Sequence, residues 1–549
     1  MRIRLVATVK SIGKANLEGQ EENHMLPSQK SGITSTKNCR TLTLMGAASA
    51  VVVLALGVCG QTVAQQVPWT KPVPRANCAT TDRVEPGLQG QTSLVDRQSG
   101  ANKTPYNCNM DLVGNRPGEG AEWQMAWFKD CAYYDTNDVA QQTIRGSPVI
   151  DVSNPSNPQL TVALNDPSFA EPWESLKVHD RRQLLASAQA NNGGGTAPGF
   201  AIYDVSADCK NPQLLYSGNI DVTPGGVRGH AGQFSTDGMT YWGAVIGGAI
   251  YPLDITDPKN PKLLAKFNPG TCVGCTAGDA SPHDVSTNDD GTRLYIANLG
   301  ANKNGLAIVD VSDVQNRLPN PKMKLLGTYY WPDGGRTAQQ PTPIRIKGRP
   351  YILFADENST RLAGCAAGNQ PFGMGRIIDI LDETHPKLVS YLMLEVNEAN
   401  SPANPTKCQT QFQDFISTGG FLYDAHYCTA DDPKNAKMVA CSQMQSGVRI
   451  FDVRNPYLPK EIAYYKPPAS GNAFRPGSTL WTTSPTLNLT HDLSSSNVRF
   501  LRKDGQVYIW FTSHNNGFYV TKLSDHLRAL DPDLFAAGTK GATGNLQPY

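Results

Sequence analysis

No run of five like charges occurs in the 549 residues, and 49 Lys plus Arg stand against 48 Asp plus Glu. A formal charge of +1 excludes a general electrostatic hold on nucleic acid or on an anionic membrane. The usual catalytic signatures are missing too. There is no G-x-S-x-G elbow, Walker loop or H-E-x-x-H pair, and no EF-hand spacing of acidic residues. Residues 191–195 (NNGGG) are rich in glycine, but no helix follows them to complete a phosphate cradle. Histidine is scarce, at 9 residues. Long apolar runs are absent as well: 42–57 (LTLMGAASAVVVLALG) has 16 residues, short of the ~20 that span a bilayer.

That short run has a different use. Lys30, Lys37 and Arg40 precede it, and Thr62-Val63-Ala64 offers small residues at the −3 and −1 positions of a cleavage site. Residues 1–64 therefore read as a secretory signal segment, with Met25 as an alternative start. A lipid anchor on Cys59 is the weaker reading, since bulky Val58 precedes it. The expected location is periplasmic or extracellular, with no transmembrane span in the mature form. Of the 12 cysteines, Cys39 and Cys59 lie within 1–64. An even ten remain, and in an exported chain these suggest disulfides. Cys272-Val273-Gly274-Cys275 reads as a local bridge, with redox or metal work as rivals. Cys428 and Cys441 flank a turn-like stretch, and Cys365 with Cys408 is the guess for a loop bridge.

Gly (50) and Pro (39) are abundant and punctuate a repeat. A Gly is followed by a β-rich apolar run, an Asp, and often Asn-Pro. The copies are 146–160 (GSPVIDVSNPSNPQL), 199–214 (GFAIYDVSADCKNPQL), 249–263 (AIYPLDITDPKNPKL), 305–313 (GLAIVDVSD), 375–388 (GRIIDILDETHPKL) and 447–462 (GVRIFDVRNPYLPKEI). A degenerate seventh, 517–524 (GFYVTKLS), has Thr521 in place of the Asp. The spacings from Asp151 through Asp204, Asp254, Asp310, Asp379 and Asp452 to Thr521 are 53, 50, 56, 69, 73 and 69 residues. Short runs rich in Ile, Val, Phe and Tyr mark buried strands. The Asp marks a turn because its carboxylate can bond the backbone two residues on. With further apolar strands before each Gly, each unit holds about four strands, A to D. Seven such units are the arithmetic of an all-β, seven-bladed β-propeller of four-stranded blades. Residues 65–110 form an N-terminal extension that can close the ring, 111–530 the propeller, and 531–549 a tail.

Residues 306–312 (LAIVDVS), 202–206 (IYDVS) and 450–454 (IFDVR) resemble the LVIVD repeat of exported bacterial and archaeal proteins. The resemblance implies a β-propeller over roughly 110–530 and no shared activity or catalytic residues. Function must come from the site.

In a propeller, the starts of the inner A strands converge on the mouth of the central channel, the default place for a ligand. His230 and His283 each stand seven residues before an Asp-Gly turn (Asp237, Asp290), as does Asn497 before Asp504. His426 opens strand A of blade 6, while Trp123, Trp173 and Gln340 stand near the same position elsewhere. Asn298, Asp356, Glu357, Gln443 and His514 end the B strands. Converging imidazoles suit Cu, Zn or Fe. On the metalloenzyme reading His230, His283 and His426 are ligands, and His514 is a fourth ligand or an acid–base group. Asp356 or Glu357 is then a base, and Asp284 and Asp424 orient the rings. On the structural reading these histidines merely bond across blades. His179 and His385 read as turn residues, His526 as exposed, and His491 as able to fold over the mouth. Insertions at 358–374, 392–421 and 468–496 are expected as loops on the mouth face. The expectation is an exported monomeric propeller binding a small molecule, peptide or polymer at its mouth, with metal-dependent catalysis within reach. The alternative is a non-catalytic protein- or polymer-binding scaffold; a redox protein using Cys272 and Cys275 is a third reading.

Overall fold

The computed structural model describes residues 66–549 apart from 119–122, 136–145, 190–198, 221–228, 333–336, 358–364, 366–367, 403, 415–422, 470–493, 495, 515–516 and 537–549. Residues 1–64 are a separate unit outside the described residues, as are His491 and much of the three insertions.

The described strands form seven antiparallel sheets, each with a core of four strands. The inner strands A of blades 1 to 7 are Met125–Phe128, Lys177–His179, Ala231–Phe234, Pro282–Thr287, Ala338–Ile346, Tyr427–Ala430 and Arg499–Lys503. Blades 1 to 6 take their four strands consecutively in sequence. Blade 7 does not: its strand C, Gly517–Leu523, pairs with Met110–Arg116 from the start of the propeller, which supplies strand D. That explains the degenerate seventh repeat. No strand D follows Thr521, so the Asp turn is not needed there. Thr521 is buried within the strand and the chain leaves into a short helix, Asp525–Leu530. Just upstream, Tyr106–Cys108 adds a fifth strand to the outer edge of blade 6.

The six keyed aspartates act as the repeat predicts. Asp151, Asp204, Asp254, Asp310, Asp379 and Asp452 each accept the backbone N–H two residues on, at 2.7–3.0 Å. In blades 1, 2, 4, 5 and 6 the register between strands C and D slips near the middle of the pair. Such an irregularity increases local twist.

A single blade cannot bury both its faces, so the core lies between blades. Seven apolar clusters fill the seven interfaces. The one joining blade 7 to blade 1 packs Trp510, Phe518 and Val520 on Met125, Trp127 and Tyr134, which closes the ring. All ten cysteines after residue 64 are paired: Cys78–Cys108, Cys131–Cys209, Cys272–Cys275, Cys365–Cys408 and Cys428–Cys441. Among the described residues no helix is long and apolar enough to cross a membrane.

Candidate metal centre

At the end of the channel where the A strands begin, one carboxylate gathers side chains from four other blades. It belongs to Glu174, just before strand A of blade 2. The turn 172–175 is closed by the Ser175 N–H on the Pro172 carbonyl at 3.1 Å, and the Glu174 N–H reaches the His230 carbonyl at 3.1 Å. Trp173 in this turn has φ +48, so the residue after it points into the channel. His230 Nε2 and His426 Nε2 approach Glu174 Oε1 at 3.5 and 3.2 Å, and His283 Nδ1 approaches Oε2 at 3.6 Å. His230 Nε2 and His283 Nε2 are 3.1 Å apart. One ligand atom each from Glu174, His230 and His283 fit within 4.8 Å of one another. Tyr427 Oη and Gln339 Nε2 each donate to Glu174 Oε2 at 2.8 Å. Gln339 also meets His426 Nε2 at 3.0 Å.

Indoles stand beside the imidazoles. Trp123 stacks on Trp173 at 5.7 Å between centroids and touches the His426 ring at 5.1 Å, while Trp173 meets the His230 ring at 5.8 Å. His514 is buried on the far side of Trp123, edge-on at 4.9 Å.

A family model described as the LVIVD repeat matches residues 148–166 and 291–316, the C–D strands of blade 1 and the B–C strands of blade 4. The chain carries LVIVD repeats. No curated protein sequence matches it. Among solved structures, this LVIVD-repeat chain is similar to a protein from Lactobacillus plantarum, at 12% identity over 62% of this chain and 82% of that one, with a TM-score of 0.39. It is also similar to a putative 6-phosphogluconolactonase from Bacteroides fragilis, at 10% identity over 72% and 95% with a TM-score of 0.40. A periplasmic gluconolactonase from Pseudomonas aeruginosa matches at 13% identity over 71% and 95%, with a TM-score of 0.41. Likeness this slight says nothing about what the LVIVD-repeat chain binds.

Electrostatics at the centre follow from burial. Burial alone would raise the Glu174 carboxyl, but the facing imidazoles of His283, His230 and His426 hold it well below the ordinary carboxylate range. Burial pushes His283 down to about 3, so its ring is neutral at ordinary pH. The Gln339 backbone carbonyl bonds that ring. Lys177, from the same inner strand, donates to the Glu174 carbonyl at 3.1 Å and lies 3.9 Å from Asp284. Burial lowers Lys177 and raises Asp284 to about 6.

Three of the expected ligands, His230, His283 and His426, thus meet. His514 does not touch Glu174: Trp123 lies between it and His426, and the fourth position belongs to the Glu174 carboxylate. Gln339 rather than Gln340 faces the centre, because the register slips between Ala338 and Gln340. Asp356 is not poised as a base. Its two oxygens take the Arg376 guanidinium at 3.1 and 2.9 Å, and that pair is buried. Glu357 is tied through its backbone N–H to the Thr337 carbonyl at 2.9 Å. Asn298, at the end of strand B of blade 4, holds backbone groups of Ser281, Gly278 and Lys303. Asp284 bonds its own next backbone N–H, on Val285, and Asp424 accepts from the Gly373 N–H. His179 bonds the Thr236 carbonyl and accepts from the Arg182 N–H at the other end of strand A, and His385 sits in the blade 5 turn against Asp382. His526 lies, partly exposed, on the C-terminal helix.

Proposed function

We propose that the chain is an exported LVIVD-repeat propeller that holds one transition-metal ion at the mouth of its channel, through Glu174, His230, His283 and His426. The observation that carries this reading is the spacing of the donor atoms. A tetrahedral zinc site with bonds of about 2.0–2.1 Å has ligand atoms about 3.3 Å apart. The separations here run from 3.1 to 3.6 Å around a single carboxylate. The protonation states also favour it, since metal ligands must be an ionised carboxylate and neutral imidazoles. Tyr427 and Gln339, bonded to Glu174 Oε2, orient the carboxylate as outer partners of a metal ligand do. A bound ion there would supply Lewis acidity to a ligand entering from the mouth. Five disulfides and the absence, among the described residues, of a membrane-spanning helix are compatible with export.

One observation favours a second reading. Glu174 Oε2 already accepts two hydrogen bonds and His230 meets His283 at hydrogen-bond distance. The cluster can therefore serve as a metal-free plug that ties blades 2 to 6 together in a binding scaffold. Elemental analysis of residues 65–549, after reloading with copper, zinc or iron, separates the two. About one ion per chain in the parent and none in a folded His230/His283/His426→Ala variant supports the metal centre. An empty parent leaves the plug.

A further inference from the structure

The donor atoms of the centre are closed off. Glu174 and His283 are 2% exposed, His426 is fully buried and His230 is 7% exposed. Trp123 beside them is 3% exposed. Trp173 alone among the residues that touch the imidazole rings through an indole keeps part of its side chain in solvent. Its ring covers His230 on one side and stacks on Trp123, which in turn covers His426.

The backbone of Trp173 adds an independent observation. Its φ of +48 lies in the left-handed region, where a bulky residue is strained and glycine is not. Strain of this kind persists only when the surroundings over-determine it, and it gathers at functional sites. Here the surroundings are explicit. Ser175 bonds the Pro172 carbonyl through both its N–H and its hydroxyl, and the Glu174 N–H is held by the His230 carbonyl. The same turn sends Glu174 inward and sets the indole over the route to it. A glycine would make this turn without strain, so what the position keeps at that cost is the ring.

We infer that Trp173 is the residue that sets the size of what reaches the His/Glu centre. It admits slender, roughly linear ligands along the edge of the indole and excludes planar rings and sugar-sized molecules. The inference rests on the metal reading above, and its test separates the two. The protein is loaded with cobalt(II), whose visible spectrum reports ligand exchange, and titrated with azide and with imidazole. Wild type responds to azide, and its response to imidazole is weak. Trp173→Gly, which suits the left-handed backbone, responds to both, with imidazole affinity up by roughly tenfold or more. Trp173→Phe, which keeps a smaller ring, lies between and carries the test if the glycine variant does not fold. Equal imidazole affinity in wild type and in the folded variants overturns the gate and leaves the metal centre standing. A failure of every protein to take up cobalt overturns both.

Discussion

Glu174 is met by His230, His283, Gln339, His426 and Tyr427, which come from blades 3, 4, 5 and 6. Glu174→Gln keeps the shape and removes the charge, so it tests the carboxylate as a ligand. Metal affinity, measured by calorimetric titration, should fall by more than the roughly 10–100-fold that follows loss of an orienting residue. Unchanged affinity would remove Glu174 from the ligand set. Tyr427→Phe should cost less, within about 10–100-fold, because the phenol acts only through the carboxylate. The three histidines were legible in the sequence because the Asp-Gly turns gave the A strands a ruler, and His230 and His283 stand equally far from theirs. Glu174 was not legible. The ruler stopped at Trp173, one residue short, and only the left-handed turn there brings the next side chain into the channel. Gln339 was missed for a related reason: a one-residue slip in pairing, invisible in composition, exchanges the faces of its strand. The aspartate assigned as a base, Asp356, was read by position alone, and nothing local announced that Arg376, 20 residues on, would take both its oxygens.

The strands themselves were more legible than their pairing. The repeat located the A to C strands of every blade, since apolar runs and Asp turns are local signals. The origin of the seventh outer strand is a long-range fact: Met110–Arg116 reaches across to Gly517–Leu523. Truncation through Arg116 should therefore abolish a cooperative melt, by exposing the edge of blade 7 and unpairing the ring. Truncation through Gln65 should leave the melting temperature unchanged. The segment before that strand is clamped by a buried ion cluster. Arg449 bonds Glu85 and Glu461, and Lys466 also reaches Glu85. Burial would raise Glu85, but Arg449 and Lys466 outweigh it and bring the carboxyl down to about 2 from 4.5. A carboxyl lowered by folding contributes stability above its unfolded value and loses it as pH falls through the folded one. Glu85 thus contributes about 3 kcal/mol that fades between pH 4.5 and about 2. Burial pushes Glu461 the other way, so the Glu85 share is read by difference. Glu85→Gln should lower stability at pH 7 by roughly 3–5 kcal/mol, since it leaves part of a buried cluster unpaired. The gap from wild type should narrow as pH drops from 5 to 2 in denaturant titrations; a gap constant with pH would mean that the clamp does not depend on the Glu85 charge.

At the scale of the whole molecule, the centre draws on strands that only ring closure brings together. Its residues lie from Trp123 to His426 in sequence, yet the donors stand within hydrogen-bonding distance of one carboxylate. A site of this kind exists only in the closed ring, so an ion bound there binds the folded state and not the unfolded chain. Mass action then links metal to stability: free ion at 1,000 times its dissociation constant adds about 4 kcal/mol. The prediction is that zinc or copper raises the melting temperature of the wild-type propeller and a chelator reverses the rise. Both effects should vanish in Glu174→Gln and persist in Glu85→Gln, whose ion cluster lies away from the channel. The metal-free plug predicts the opposite pattern. There the melting temperature ignores metal and chelator, and Glu174→Gln still lowers it, because the hydrogen bonds of the carboxylate hold the blades whether or not an ion arrives. A scanning calorimetry series over these three proteins, with and without metal, therefore decides whether the histidines gather at the mouth to bind an ion or to fasten the ring.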